Sequence, residues 1–160
     1  MLDWKNTHGW SILVVDDEPD NLEVVATVLS FFGMKVKTAT DGMQGLEELK
    51  QLTPTLILLD LAMPRMDGWR MFEEIKNIPH LRQVPIVALT AHAMIGDEER
   101  ILQAGFDGYL SKPVNLPTLL HDIEQAMAKK ANRSDTISEE PTYEEMGKST
   151  DDFGVKEIPQ

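Results

Sequence analysis

Short apolar runs alternate along this chain with longer stretches in which apolar residues recur every three or four positions. Five runs have the length and flanking residues of buried strands. They cover residues 11–15, 34–38, 55–60, 85–89 and 109–110. The second run alternates apolar residues with two lysines, which is typical of an edge strand protected against pairing with another chain. The pattern therefore predicts five strands, the second of them at an edge.

Each run is followed by a segment with helical spacing. Pro19 suits the first turn of a helix and Gly33 suits its end, while Asp41 with Gln44 resembles a capping box. A third helix follows residues 67–68. The predicted inward positions in order are Leu22, Val25, Ala26, Leu29 and Phe32, then Leu46, Leu49 and Leu52, then Met71, Phe72 and Ile75.

The last two helices are predicted from weaker signals. A short, heavily charged helix extends from about Gly96 to Ala104, with Gly105 as its stop. Asn115 is expected to cap the final helix. Its inward face is predicted to be Leu116, Leu119, Leu120, Ile123 and Met127.

Five strand-then-helix units in succession indicate an α/β fold, a parallel sheet between two helical layers. An edge position for the second strand favours the order 2-1-3-4-5, that of a flavodoxin-like (βα)5 three-layer sandwich. The predicted organisation is an irregular lead-in (1–10), one domain (11–130) and a flexible acidic tail (131–160) rich in polar residues. A docking motif around residues 143–146 or 153–155 of the tail is left open.

The composition argues against several classes of function. The 160-residue chain has no cysteine, which excludes disulfides and thiolate chemistry, and its net charge of −12 argues against direct binding of nucleic acid. It contains no apolar run of the roughly 18 residues needed to span a bilayer, so we expect no membrane contact and a cytoplasmic location.

Polar side chains stand at the ends of four of the five predicted strands: Asp16 and Asp17, Asp60, Thr90, and Lys112. Because the carboxyl ends of parallel strands meet at one edge, these groups are expected to converge. Neighbouring carboxylates repel one another unless a cation intervenes, and Mg²⁺ prefers such oxygen ligands. With Lys112 as a second positive charge, the site suits transfer of one phosphoryl group to a carboxylate.

Each of these residues also has an ordinary structural explanation. The acidic run 16–18 could simply charge a helix N-terminus. Thr90 could cap the turn after its strand, and Lys112 before a proline could be a solvated loop residue. Their appearance at four strand ends, in order, favours the functional interpretation.

At this point the sequence resembles the receiver domain of two-component response regulators, the CheY-like family. The matching motifs lie at residues 14–18, 58–60 with 63–64 and 66–68, 88–91 and 109–113, within a resemblance that covers about 11–128. The resemblance implies that Asp60 is the phospho-acceptor and that Lys112 binds the phosphoryl oxygen. It implies an Mg²⁺ site made by Asp16, Asp17, Asp60 and the backbone carbonyl of Ala62. It also implies switching by Thr90 and Tyr109, and a cis peptide before Pro113.

A receiver takes its phosphoryl group from a histidine kinase or a phosphotransfer protein and signals to a downstream protein, here unknown. We therefore expect no enzymatic turnover beyond the chain's own phosphorylation and dephosphorylation. A phosphorylation-dependent homodimer stays open. In the family, the side chains two residues beyond the acceptor and two beyond the threonine influence the access of water to the phosphoryl group. Here these are Ala62, which cannot position a water, and His92, for which screening of the site and a position in solvent both stay open, so the phosphoryl lifetime is not predicted. The alternatives are a receiver cut from a hybrid histidine kinase or longer regulator, an aspartyl-phosphate phosphatase, and a flavodoxin-like cofactor binder. The chain has no insertion long enough for a phosphatase cap, and its acidic first loop disfavours a cofactor phosphate.

Overall fold

The structure, a computed structural model, describes residues 2–91 and 96–137, with side chains as far as residue 128. His92 and the predicted docking motifs of the tail lie outside the described residues. The chain divides into two compact units, Met1–Lys130 and Ala131–Gln160. The first contains the sheet and the site. Of the second, the structure describes only helical backbone up to Ile137.

Within residues 2–91 and 96–137, five parallel strands alternate with five α-helices, as the sequence predicts. The strands are β1 (Ser11–Val15), β2 (Lys35–Ala39), β3 (Leu56–Asp60), β4 (Ile86–Thr90) and β5 (Gly108–Ser111). The α-helices are α1 (Pro19–Phe31), α2 (Gly42–Leu49), α3 (Gly68–Lys76), α4 (Asp97–Ala104) and α5 (Leu119–Ile137). Two 3₁₀ turns, Pro79–Leu81 and Leu116–Thr118, complete the order. The sheet order is β2-β1-β3-β4-β5, which confirms the flavodoxin-like topology.

Alternating strand residues build a core on each face of the sheet. In β1, Leu13 and Val15 pack with side chains of α2 and α3, whereas Ile12 and Val14 pack with α1 and α5. All five residues of β3 and of β4 are buried, as expected for central strands of a parallel sheet. The sheet register pairs the last residue of β4, Thr90, with Ser111 of β5, so the strand ends are level where the site forms.

Three details of the helices differ from the predictions. Helix α1 ends at Phe31, so Phe32 is the C-cap and is 44% exposed instead of facing the core. Asn115 does not cap α5: it precedes the 3₁₀ turn, its side chain makes no capping hydrogen bond, and α5 begins at Leu119. Finally, α5 continues as helix to Ile137, well into the segment predicted to be tail.

The predicted capping residues at the start of α2 and the predicted end of α4 are largely confirmed. The Asp41 carboxylate accepts a hydrogen bond of 2.8 Å from the Gln44 N–H. The Gln44 side chain accepts from the N–H of Thr40 instead of Asp41, one residue beyond a standard capping box. Gly105 ends α4 with φ 112°, a left-handed conformation. Glycine adopts this conformation without strain because it has no Cβ.

The segment before β1 packs against the domain. Trp4 and Trp10 meet edge to face with ring centroids 5.0 Å apart, and Trp4 also packs against the core between α1 and α5. The Thr7 hydroxyl donates to the carbonyl of Phe32 at 3.0 Å. Although it contains no strand or helix, the segment 2–10 holds the turn between α1 and β2.

Candidate functional site

The polar groups predicted to converge do so at the carboxyl end of the sheet. Asp16 and Asp17 follow β1 and Asp60 ends β3, and one oxygen of each carboxylate lies within 4.8 Å of the others. Asp16 and Asp60 are each 2% exposed, while Asp17 is only partly buried. Because β1 and β3 are hydrogen-bonded neighbours, the fold itself brings these carboxylates together.

Lys112 bridges the two buried carboxylates. Its Nζ lies 3.0 Å from Asp16 Oδ2 and 2.9 Å from Asp60 Oδ2. Burial opposes the charge of the lysine, but the hydrogen bonds to Asp60 and Asp16 outweigh burial and raise the pKa of Lys112 above its ordinary value. Lys112 is therefore a fixed positive charge at neutral pH. The Lys112–Pro113 peptide bond that follows is cis.

Burial perturbs the carboxyl group of Asp60. Burial raises the pKa of Asp60 from 3.8 to about 6, with a further contribution from the charge of Asp16, against the lowering effects of Lys112 and the Ala62 N–H. The N–H of Ala62 donates to Asp60 Oδ1 at 3.0 Å, so both carboxylate oxygens are oriented, one by a backbone amide and one by Lys112. At neutral pH the carboxylate of Asp60 is thus ionised and held in a fixed orientation, and its burial makes this charge energetically unfavourable.

The loop from β3 to α3 is packed tightly against Asp60. Asp67 caps α3, accepting a hydrogen bond of 2.9 Å from the Arg70 N–H. A Cβ placed on Gly68 would overlap the carbonyl oxygen of Asp60 and the backbone of Leu61, so only glycine fits at the start of α3. This close approach fixes the backbone next to the carboxylate.

The donor set fits a hard divalent cation. Carboxylate oxygens are the ligands that Mg²⁺ prefers, and Asp16, Asp17 and Asp60 each offer one. The two buried members are stabilised in the structure by the ammonium of Lys112, which shows that this edge of the sheet requires positive charge. The structure places Ala62 directly beside Asp60, and the role of its carbonyl as a ligand stays a prediction.

Thr90 and Tyr109 lie on neighbouring strands. Thr90 ends β4 and is 7% exposed, and its carbonyl accepts a hydrogen bond of 2.8 Å from the Lys112 N–H. Tyr109 lies on β5, half-buried against the core under α2 to α4. Burial, followed by the hydrogen bond and charge of Glu98, raises the pKa of Tyr109. The two residues predicted to act as a switch therefore lie on β4 and β5, outside the carboxylate cluster.

Sequence reasoning missed the contacts made by α4. Arg100 stacks over the ring of Trp69 on α3, with its guanidinium carbon 4.5 Å from the ring centroid. Together with Ala62 and Thr90, these side chains line a cavity of about 230 Å³ next to the residues that follow Asp60. No motif marks Glu98 or Arg100, because both sit in a charged helix whose placement depends on α3 and β5.

Comparison with known proteins agrees with this geometry. Residues 12–124, most of the chain, match the model of the response regulator receiver domain. The chain therefore belongs to the response regulator receiver family of two-component signalling.

Individual relatives include both kinases and a short regulator. The chain is 43% identical over 104 residues to the signal transduction histidine-protein kinase BarA of Shigella flexneri, a match that covers 65% of this chain and only 11% of the kinase. It is 32% identical over 114 residues to the polar-differentiation response regulator DivK of Brucella anthropi, covering 71% of this chain and 93% of DivK.

Among solved structures, the receiver domain of a Pseudomonas aeruginosa sensor histidine kinase, with a magnesium ion coordinated in its active-site cleft, aligns with a TM-score of 0.66 at 36% identity. The alignment covers 75% of this chain and 98% of that domain. In the part of the chain that the structure describes, every helix is too short or too polar to cross a bilayer.

Proposed function

We propose that this chain is a phospho-accepting receiver in which Asp60 takes a phosphoryl group from a histidine kinase or a phosphotransfer protein. The observation that carries the proposal is the pairing of Asp60 with Lys112 inside the carboxylate cluster. In the transfer, a bond forms between a carboxylate oxygen of Asp60 and the phosphorus atom as the bond from phosphorus to the donor's histidine nitrogen breaks. Lys112 then neutralises charge on the phosphoryl oxygens.

Asp16, Asp17 and Asp60 are proposed to hold Mg²⁺, with the Ala62 carbonyl as a further ligand. When bound, the ion supplies positive charge for the phosphoryl oxygens that Lys112 alone does not provide. The chain's own contribution is orientation: the Ala62 N–H and Lys112 fix the two oxygens of Asp60 before the donor arrives.

Signalling is proposed to occur through protein–protein contact, by a shift between two conformations in which Thr90 and Tyr109 take part. The chain would then catalyse only its own phosphorylation and dephosphorylation, in the cytoplasm. The match along 93% of DivK supports a regulator that acts on its own, while the higher identity to BarA supports a receiver belonging to a kinase. The chemistry at Asp60 is the same in both.

The test is phosphoryl incorporation from phosphoramidate with Mg²⁺, followed by intact mass. We expect one phosphoryl group on the wild type and on Asp20→Asn, which removes an exposed carboxylate of α1, and none on Asp60→Asn. Labelling of Asp60→Asn to the wild-type level would refute the assignment of the acceptor. Sustained hydrolysis of an external phosphoester by the wild type would instead support a phosphatase.

A further inference from the structure

The loop between Asp60 and α3 contains one backbone conformation that an arginine does not favour. Among the residues that the structure describes, Arg65 is the one non-glycine residue with a left-handed backbone, at φ 67°. Glycine adopts this conformation freely, whereas a residue with a Cβ is strained in it and keeps it only where its surroundings fix it. The contacts around Arg65 therefore show what holds this loop in place.

The side chain of Arg65 is paired with Asp41, the residue that caps α2. Nη1 of Arg65 lies 3.3 Å from Oδ2 of Asp41. The other oxygen, Oδ1, accepts the hydrogen bond from the Gln44 N–H. One carboxylate, 14% exposed, thus joins the start of α2 to the loop that follows Asp60. Because the Arg65 side chain is 77% exposed, the pair is expected to contribute little to the stability of the fold.

Two buried side chains hold the same loop from the inside. Met63 and Met66, which flank residues 64–65, are each 9% exposed and belong to the core on the α2 and α3 side of the sheet. A Cβ built on Gly42, the first residue of α2, would lie 3.0 Å from the carbonyl oxygen of Met66. The loop is therefore packed against α2, and the ion pair with Asp41 adds a contact on its exposed side.

The same loop carries the backbone of the proposed metal site. The N–H of Ala62 donates to Asp60 Oδ1 at 3.0 Å, and the carbonyl of Ala62 is a proposed ligand of Mg²⁺. Only Met63 and Pro64 separate Ala62 from Arg65, and the ring of Pro64 limits the freedom of the chain between them. Because Mg²⁺ demands near-ideal octahedral geometry, a carbonyl ligand on a loop binds well only where the loop is already held in place.

We propose that Asp41 and Arg65 form a positioning pair, which holds the loop after Asp60 in its left-handed turn and thereby presents the Ala62 carbonyl to Mg²⁺. The inference rests on the proposed function, because it assumes that the carboxylate cluster and this carbonyl bind Mg²⁺. Neither side chain of the pair is proposed as a ligand. Breaking the pair is expected to weaken the binding of Mg²⁺ about five- to tenfold and to change the stability of the metal-free chain little.

The test is calorimetric titration of the chain with Mg²⁺, and it uses the positive charge of Arg65. Arg65→Asn removes the ion pair and keeps a residue that tolerates a left-handed backbone. Loss of a positive charge alone would raise the affinity for a cation, whereas loss of the positioning pair should lower it about five- to tenfold. Asp41→Asn, which still caps α2, should lower the affinity to a similar extent. Arg65→Lys, which keeps a cation near Asp41, should lower it less.

Two controls separate positioning from charge and from stability. Arg70→Gln, which removes an exposed arginine of α3, should leave the affinity for Mg²⁺ at or slightly above that of the wild type. Urea unfolding in EDTA should give Arg65→Asn a stability close to that of the wild type, so that its lower affinity does not reflect a loss of folded protein. Because Asp41 and Arg65 act through one contact, the double variant Asp41→Asn/Arg65→Asn should lose no more affinity than either single variant.

An affinity of Arg65→Asn equal to or above that of the wild type, or an equal fall in Arg70→Gln, would overturn the positioning pair. Single losses of affinity that multiply in the double variant would overturn it too. A wild type that binds no Mg²⁺ in this titration would overturn the proposed function, and the inference with it.

Discussion

Replacing Asp60 with asparagine is expected to stabilise the metal-free protein at neutral pH, even though the substitution removes the proposed phospho-acceptor. The reason is the buried charge: the pKa of Asp60 is raised from 3.8 to about 6, chiefly by burial. A carboxyl group whose pKa is higher in the folded than in the unfolded chain binds its proton more tightly when folded. Above both pKa values the ionised form therefore lowers the free energy of unfolding.

The size of the effect follows from the shift. A shift of this size, to a pKa of about 6, corresponds to a loss of at most ~3 kcal/mol in the free energy of unfolding near neutral pH. Asparagine removes this charge at nearly constant volume, and Lys112 keeps its contact with Asp16 at 3.0 Å. The raised pKa already includes the attraction between Lys112 and Asp60, but the asparagine amide fits Lys112 and the Ala62 N–H less well, so we expect Asp60→Asn to be more stable than the wild type by about 1–3 kcal/mol.

The measurement is urea unfolding followed by circular dichroism in EDTA, with Asp20→Asn as a control for a carboxylate lost from an exposed position. The advantage of Asp60→Asn should shrink as the pH falls through about 6 and should vanish below the ordinary carboxyl pKa. Added Mg²⁺ should also reduce the difference in stability between Asp60→Asn and the wild type, because the cation stabilises the wild-type carboxylates. A variant that is equally or less stable than the wild type in EDTA at neutral pH would refute this account of the buried charge.

Three further outcomes follow from the same geometry. Lys112→Met should lower the rate of labelling by phosphoramidate at least about tenfold. It should also destabilise the metal-free chain, because Asp16 and Asp60 lose the cation that they share. Lys112→Arg keeps a positive charge and should therefore be more stable than Lys112→Met in the urea assay. Mg²⁺ affinity, measured by calorimetry, should fall by up to about tenfold per pH unit below about pH 6, because protonation of Asp60 competes with the metal, and a flat profile would contradict the raised pKa. Gly68→Ala should cost several kcal/mol in urea unfolding because its Cβ meets backbone, whereas Gly45→Ala, whose Cβ meets the flexible end of Met71, should cost less.

Local signals in the sequence were sufficient for most of the fold. The apolar runs predict all five strands to within a residue or two, and Gly105 marks the end of α4 correctly. The wrong predictions arise where the three-dimensional structure departs from the local sequence pattern. Phe32 continues the helical period of α1, yet the chain has already left the helix there, since Gly33 has a positive φ and the N–H of Phe32 bonds back to Leu29. Asn115 has the composition of a cap but precedes a 3₁₀ turn that begins with Leu116 and Pro117.

Some contacts of the site could likewise be predicted from the sequence, and others could not. Asp16, Asp60 and Lys112 could be placed together from sequence because strand order alone determines which strand ends meet. The stacking of Arg100 on Trp69 beside the site could not, because it depends on the rotation of α4 about its axis. That rotation is set by the burial of Ile101 in the core, which no local pattern encodes.

Charge balance links the resting site to its proposed chemistry. Three neighbouring carboxylates and one ammonium leave two net negative charges at the end of the sheet, which one divalent cation neutralises. A monovalent cation would leave the site negative and therefore repel a phosphoryl group. Lys112 contributes in both states, because the ammonium that stabilises Asp16 and Asp60 beforehand lies within reach of any group attached to Asp60. In the unmodified site, the ion pairs thus already direct Lys112 towards the group that phosphorylation would attach to Asp60. Keeping Asp60 ionised in this buried position is unfavourable, which is why its pKa is raised.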